Sequence, residues 1–281
     1  MDARKLIFIL IGIICVISIV FVIYSELYYI APNNSSFQNT ASTSTNINSN
    51  KIDEQELINN FSYIFDNNLN NQNNDISKIT KKDFNKDLVY TSYEMNEQIP
   101  NKYTINAKIP SININNNAIS SINNKIDSTF KNQISTIIAN SNTSDNQLYD
   151  VEYMSYINSN ILSLVIKATL KNGNSAQRVL VQTYNYNLST NEELKLEEIL
   201  NLKGVSKNYA NKKIKETITK ANVSSQSLKD LGYSVYIRDL TSDIYKIENT
   251  STFFLGENGI LYVLYPYGNS NMTSEMDIII F

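Results

Sequence analysis

An unbroken apolar run close to the N-terminus constrains this chain more than any other feature. Residues Leu6 to Tyr24 contain no charged side chain. As an α-helix the run would reach about 28 Å, close to the thickness of the hydrocarbon core of a bilayer. The sequence therefore predicts a single transmembrane helix over residues 6–24, inside an N-terminal segment that covers residues 1–30.

The charges on either side of the run predict its orientation. Arg4 and Lys5 precede it, against the single acid Asp2, and Glu26 follows it. Because positive charge accumulates on the cytoplasmic side of a membrane span, we expect a cytoplasmic N-terminus. The C-terminal part of the chain is then expected outside the cell, held at the cell membrane by one span.

A cleaved signal peptide is the alternative interpretation of the same run. The apolar region of a signal peptide is shorter, about 7–15 residues, and small residues precede its cleavage site. Here Tyr29 would stand three positions before a cut after Ala31, where a small residue is required. The pattern favours an uncleaved anchor, and a mature chain that starts near Pro32 would decide for the signal peptide.

Composition limits the possible partners and the compartment. The net charge is −3 and no basic patch stands out, so nucleic acid is not an expected partner. The single cysteine, Cys15, lies within the apolar run, so the rest of the chain must fold without a disulfide. The Asn, Ile, Lys, Ser and Tyr bias is typical of an AT-rich genome, which suggests a low-GC Gram-positive bacterium.

Changes in composition predict four further segments. Residues 31–52 are rich in Asn, Ser and Thr without periodicity, which is typical of a flexible linker. Residues 53–86 begin with an amphipathic helix over Asp53 to Leu69 and continue as a connector. Residues 87–183 and 184–281 are predicted to be a first and a second extracellular module.

Periodicity within these modules predicts an α+β fold, in which helices pack on antiparallel sheets. Apolar residues recur at helical spacing in two stretches and alternate in several others. The predicted helices cover Asn117 to Asn140 and Ser206 to Asn222, with a short helical turn at Leu196 to Leu200. The predicted strands lie within Leu88 to Ile112, Tyr149 to Leu188, Thr252 to Tyr265 and Glu275 to Phe281.

Three of these stretches resemble one bacterial family. They are Tyr103 to Asn115, Gln182 to Leu200 and Thr252 to Gly268. Together they are similar to the paired uncharacterised domains, DUF4163 followed by DUF3298, that form the extracellular part of lysozyme-responsive anti-sigma factors and precede some peptidoglycan deacetylase domains. The resemblance implies an α+β fold at the cell envelope. It also implies that Asn191, where the family more often has glycine, adopts a positive φ.

The residue types available give little support to catalysis. The chain has no histidine, which excludes Ser-His-Asp and Cys-His arrangements. A zinc site would need carboxylates alone, and no glycine-rich phosphate loop occurs. We therefore predict no catalytic, metal-ligating or cofactor-binding residues and no enzyme activity. Glu275 and Asp277 would share one face of a strand, expected to be solvated, and they keep a carboxylate-dependent cell-wall hydrolase open as an alternative.

Tyrosine provides the candidate ligand-binding residues. The chain contains 19 tyrosines, and Tyr262, Tyr265 and Tyr267 cluster beside Pro266 at the exit of a predicted strand. A tyrosine ring offers apolar area together with a wet hydroxyl, which suits protein and glycan surfaces. Ordinary packing in a core is the competing interpretation of the same three residues.

These observations predict a membrane-anchored, extracytoplasmic binding or sensing module without catalysis. The expected ligand is cell-wall glycan, namely peptidoglycan, or a secreted protein such as lysozyme. The alternative is a structural or regulatory partner of another membrane protein, with the span or the helix after Asp53 forming the contact.

Overall fold

The protein is described by a computed structural model that covers residues 79–141, 146–268 and 274–281. The predicted span over 6–24, the linker over 31–52 and the amphipathic helix after Asp53 lie outside the described residues. No helix in the described part of the chain is long and apolar enough to cross a membrane. The architecture below therefore concerns the predicted extracellular modules.

A six-stranded sheet and a three-stranded sheet form the frame of the described residues. The first sheet has the order β1-β2-β3-β4-β5-β6, and the second has the order β7-β8-β9. In the first sheet the strands are β1 (Val89–Ile99), β2 (Tyr103–Ile112), β3 (Gln147–Asn158), β4 (Ile161–Asn172), β5 (Arg178–Asn187) and β6 (Glu192–Glu193). In the second they are β7 (Phe253–Leu255), β8 (Leu261–Tyr267) and β9 (Glu275–Ile280).

Within the described residues, four α-helices flank these sheets. The predicted helix after Pro110 consists of α1 (Asn117–Ile126) and α2 (Asn132–Asn140), joined by a π-helical turn at Asp127–Lys131. Two further helices, α3 (Leu196–Leu202) and α4 (Lys207–Asp230), follow the first sheet. Short 3₁₀ turns lie at Asp243–Tyr245, Ile247–Asn249 and Glu257–Gly259.

The α+β fold and its antiparallel-rich sheets are confirmed, with one pairing that the sequence analysis did not predict. Strand β2 pairs with β3 in parallel, Tyr103 opposite Gln147. Parallel neighbours need a long crossover, and α1 with α2 supplies it. All other strand pairs are antiparallel.

Alternation of side chains along the strands produces four layers. One face of the first sheet packs on α1 and α2 through a core that includes Ile105, Phe130 and Leu164. The other face packs on the second sheet, where Met154, Val165 and Phe254 meet. The far face of the second sheet packs on α3 and α4, around Ile199, Ile214 and Val263. The order of layers is therefore helix, sheet, sheet, helix.

Buried polar side chains fasten the edge of β7 to the first sheet. The Ser163 hydroxyl donates to Oδ1 of Asn185 at 2.6 Å and accepts the Leu255 N–H at 3.1 Å. The Asn185 amide donates to the Phe253 carbonyl at 2.7 Å. Because backbone groups of an edge strand must find partners when buried, these contacts fix the second sheet against the first.

Residues with positive φ mark the predicted turns. Asn191 has φ 61°, as the family resemblance implied, and Asn258 and Gly259 have φ 55° and 70° in the turn before β8. In the turn between β3 and β4, Ser159 has the positive φ, at 53°. The side chain of the neighbouring Asn158 donates to the Gly256 carbonyl at 3.0 Å.

The boundary between the two predicted modules, at residues 183 and 184, lies inside β5. Both sheets belong to one compact unit of the chain. The division into two modules stays a prediction.

Candidate functional site

The three tyrosines proposed as ligand-binding residues all lie on β8, but on different faces. Tyr262 points into the core between the two sheets, where its ring stacks on Phe254 at 4.8 Å. Tyr265 points towards α4, and its hydroxyl lies 2.8 Å from that of Thr250. Each is only 3% exposed, whereas Tyr267 at the end of the strand is half-buried. The structure therefore does not bring the three side chains together.

Tyr267 instead belongs to a cluster around Arg238, which we call the arginine–tyrosine cluster: Tyr236, Arg238, Tyr267, Glu275 and Asp277. The guanidinium carbon of Arg238 lies 3.8 Å from the centre of the Tyr267 ring. The rings of Tyr236 and Tyr267 stack with centres 6.2 Å apart. The hydroxyl of Tyr267 donates to the Glu275 carboxylate. The cluster thus combines an aromatic pair with charged groups at one end of the second sheet.

Arg238 makes a bidentate ion pair with Asp277. Its Nε donates to Oδ2 at 2.8 Å and its Nη2 to Oδ1 at 2.7 Å. A third donor, Nη1, reaches the Ser225 hydroxyl at 2.6 Å. Arg238 is 6% exposed and Asp277 is 8% exposed, so both charges are removed from water together. Such burial is tolerated only when the pairing geometry is good and the remaining donors are satisfied.

The backbone around Arg238 is held by one residue of α4. The Asn222 side chain accepts the Arg238 N–H at 2.8 Å and donates to the Arg238 carbonyl at 2.7 Å. An amide that forms both bonds imitates a strand partner. The segment after α4 is thereby pinned along the helix, which places Arg238 over β9.

Burial and pairing act on the ionisable groups of the cluster. Burial raises the pKa of Asp277, and the Arg238 guanidinium opposes that rise. For Arg238, burial works to lower the pKa, but the hydrogen bond and charge of Asp277 raise it above its ordinary value. Burial, followed by the hydrogen bond and charge of Glu275, raises the pKa of Tyr267. The two parallel hydrogen bonds between Arg238 and Asp277 are the geometry of a charged pair, and the protonated hydroxyl of Tyr267 lies beside it.

The expectation that Glu275 and Asp277 are both solvated is wrong for Asp277. The two acids do share a face of β9, since they lie opposite Tyr267 and Tyr265 of β8. Glu275 is exposed, but Asp277 is buried because Arg238 covers it from the segment after α4. No signal within β9 itself predicts that cover.

Sequence reasoning also missed Arg238 and Tyr236. Both lie between α4 and β7, in a stretch without periodicity for which the sequence analysis predicted no element. The available signal was the residue type, because the 24 basic residues of the chain are almost all lysine. Arginine is the side chain suited to planar, bidentate pairing, so a rare arginine in a lysine-rich chain is a candidate for a buried ion pair.

Two grooves lie among α3, α4 and the segments that connect them to the second sheet, and no residue of the arginine–tyrosine cluster lines either one. The smaller, of about 200 Å³, runs between α4 and the segment after it, and Lys215, Leu240 and Tyr245 are among its lining residues. Tyr245 packs edge-on against the buried Tyr265, with ring centres 5.1 Å apart. The larger, of about 390 Å³, lies between α3 and β7, and Glu193, Glu248 and Phe253 are among its lining residues. Within the described residues, no cluster of three or more acids suits a metal ion.

Comparison with known proteins gives few similarities. No family profile matches this chain, and no curated protein matches it. A DUF3298 family protein from Pseudomonas aeruginosa PAO1 is similar in structure, with 9% identity, a TM-score of 0.37, and coverage of 65% of this chain and 84% of that chain. A member of the DUF3298 family from Bacteroides fragilis NCTC 9343 has 12% identity, a TM-score of 0.29, and coverage of 63% and 80%.

Both structural neighbours are DUF3298 family proteins. DUF3298 is the second of the two domain families that the sequence resembles. Their likeness to this chain is distant and assigns no residue a role.

Proposed function

We propose that this protein is a single-pass membrane protein that holds a non-catalytic binding or sensing module outside the cell. The run from Leu6 to Tyr24 supports the anchor, and the charges of Arg4 and Lys5 support a cytoplasmic N-terminus. In this proposal the chain is an extracellular paired-domain protein of the DUF4163 and DUF3298 type. Its ligand is peptidoglycan, and a secreted protein such as lysozyme is the second candidate.

One observation carries the binding role: the Tyr236 and Tyr267 rings are half-buried and stacked beside charges that are already satisfied. Stacked tyrosines present flat apolar area together with hydroxyl groups, which is the usual chemistry of glycan and protein recognition. The ion pair below fixes the ring of Tyr267 through its guanidinium face. A rigid aromatic surface loses little conformational entropy when a ligand is bound.

The same geometry disfavours the carboxylate-dependent hydrolase. Glycoside hydrolysis uses a pair of carboxyl groups, one to donate a proton and one to act as a base or nucleophile. Both oxygens of Asp277 are engaged by Arg238, and Glu275 accepts a hydrogen bond from Tyr267. These contacts support a structural rather than a catalytic role for the two acids.

Co-sedimentation of the full-length protein tests the proposal. The protein, solubilised in detergent, is mixed with purified cell-wall sacculi and, separately, with immobilised lysozyme. We expect retention on the sacculi, and retention on lysozyme alone would assign the second ligand. Failure to bind either one would overturn the proposed function.

A matched pair of tyrosine variants locates the binding surface. Tyr236→Ala removes one ring of the stacked pair, and Tyr209→Ala removes a tyrosine that is 56% exposed on α4. The first variant is expected to lose retention and the second to keep it. Equal retention of both variants would show that the arginine–tyrosine cluster is not part of the binding surface.

A further inference from the structure

Exposed apolar side chains concentrate at the end of α4 and just after it. Leu228 is 45% exposed, Leu231 is 74% exposed and Tyr233 is 62% exposed. We call these three residues the apolar tip. Large apolar side chains that are exposed together are a feature of interaction surfaces rather than of ordinary solvated faces.

The tip projects beyond the core and has a defined shape. Ser225 is the last buried residue of α4, and the remaining five residues of the helix, 226–230, are exposed. The helix ends in a Schellman motif: the Tyr233 N–H donates to the Leu228 carbonyl at 3.1 Å, and the Gly232 N–H to the Lys229 carbonyl at 2.9 Å. Gly232 has φ 90°, and no atom lies within 4 Å of the position that a Cβ would occupy there, so the turn faces open space.

Lysines without a carboxylate partner lie along the helix that carries the tip, and one of them, Lys229, lies within the tip beside Asp230. Within the described residues, Lys215, Lys220 and Lys229 form no ion pair with an acid. The stretch from Lys207 to Lys246 contains eight basic and four acidic residues, although the whole chain has a net charge of −3. The tip is therefore carried by the basic part of an otherwise acidic protein.

We propose that the apolar tip binds the surface of a lipid bilayer with anionic headgroups. Leucine inserts into the acyl boundary, tyrosine prefers the interface, and lysines near an anionic surface are attracted to its headgroups. This inference rests on the proposed function, because an N-terminal membrane anchor would hold the folded part of the chain near a bilayer.

Fluorescence of single tryptophan variants tests this inference, because the chain has no tryptophan of its own. Tyr233→Trp places the reporter in the tip. Phe84→Trp is the matched control, at a residue that is 81% exposed ahead of β1. Each full-length variant is reconstituted into vesicles of phosphatidylcholine alone or mixed with phosphatidylglycerol, with brominated acyl chains as the quencher.

In the mixed vesicles we expect the tip reporter to shift to shorter wavelength and to be quenched by the brominated lipid, while the control stays unquenched. Lys220→Gln combined with Lys229→Gln should reduce that quenching. An unquenched tip, equal quenching of both reporters, or a shift without quenching, which indicates contact with protein, would each overturn the inference. Failure of the anchor is distinguished by flotation, since the protein would then not rise with the vesicles.

Discussion

The two helical layers of this protein are held to their sheets in different ways. The layer formed by α1 and α2 buries isoleucines and Phe130 along its full length, so it is held mainly by apolar packing. Two polar contacts supplement that packing: Asn123 bonds the backbone N–H and carbonyl of Ile112, and the Tyr149 hydroxyl donates to the Phe130 carbonyl. The layer formed by α4 buries apolar residues only in its first half, to Ile218. Beyond that point its attachment is polar, through Asn222 and Ser225 to Arg238 and then to Asp277 of β9.

We call the layer of α1 and α2 the packed layer and the layer of α4 the pinned layer. The difference shows that one fold can attach one helical layer mainly by apolar packing and another by an ion pair. Apolar packing is non-directional and tolerates small shifts. A bidentate ion pair fixes both distance and angle. Tyr236 and the apolar tip belong to the pinned layer, and Tyr236 stacks there on Tyr267 of β8. Geometric precision is therefore found where we propose that binding occurs.

The largest effect is expected in the packed layer. Phe130→Ala empties a fully buried site at the π-helical turn and should lower the free energy of unfolding by about 3–5 kcal/mol. Urea unfolding of the full-length protein in detergent, followed by circular dichroism, measures the loss. Ile138→Ala on the same helical layer, at a residue that is 40% exposed, is the control and should cost far less. Equal losses would mean that this layer is not packed as described.

A similar loss in the free energy of unfolding is expected when the ion pair of the pinned layer is broken. Arg238→Met leaves the Asp277 carboxylate buried without its partner, which costs about 3–5 kcal/mol. The double variant, Arg238→Met with Asp277→Leu, removes both charges and should recover most of that loss. The same urea titration compares them. If the double variant is as unstable as the single one, the ion pair does more than neutralise buried charge.

Alkaline titration should affect both layers alike. Burial raises the pKa of Tyr265 to about 12, and burial with the charge of Glu193 raises that of Tyr184 to about 12, from 10.0. Above pH 10 the unfolded chain loses these protons first, so the free energy of unfolding falls as pH rises from 10 to 12. Tyr265→Phe and Tyr184→Phe should each remove about 2 kcal/mol of that fall. An unchanged slope in either variant would place that hydroxyl in water.

The smallest effect is expected at the helix starts, where the two layers are equivalent. The Asn116 side chain caps α1 by accepting the Ala118 N–H at 2.7 Å, and Ser206 caps α4 by accepting the Tyr209 N–H at 3.3 Å. Replacing either one with alanine should cost about 1 kcal/mol. Asn116→Ser and Ser206→Asn keep a capping oxygen and serve as controls. A much larger loss at one end would show that its cap has a tertiary role as well.

The packed layer could be predicted from the sequence because its signal is local. Isoleucines at helical spacing define the buried face of α1 and α2, and the alternation in β3 and β4 defines the sheet beneath them. The parallel pairing of β2 with β3 was missed, although a helix between two strands is the usual sign of a crossover. The end of α4 was missed by eight residues, because the apolar stripe stops where polar contacts take over.

The pinned layer could not be predicted in the same way. Arg238 lies 13 residues from Ser225 and 39 residues from Asp277 along the chain. Neither periodicity nor propensity links residues at such separations, since only the folded chain brings them into contact. The sequence also did not show how the three candidate tyrosines are arranged. Tyr262 and Tyr265 are close in sequence but lie on opposite faces of β8, so they do not share a surface.

Labelling of intact cells tests most directly whether the folded layers lie outside an anchored membrane span. Ser224→Cys places a thiol on the exposed side of α4, and the wild-type protein is the control, because its only cysteine lies within the apolar run. A membrane-impermeant maleimide should label the variant in unbroken cells, and the labelled protein should stay in the membrane fraction after carbonate extraction. Labelling that requires broken cells, or recovery of the labelled protein in the soluble fraction, would contradict the proposed arrangement.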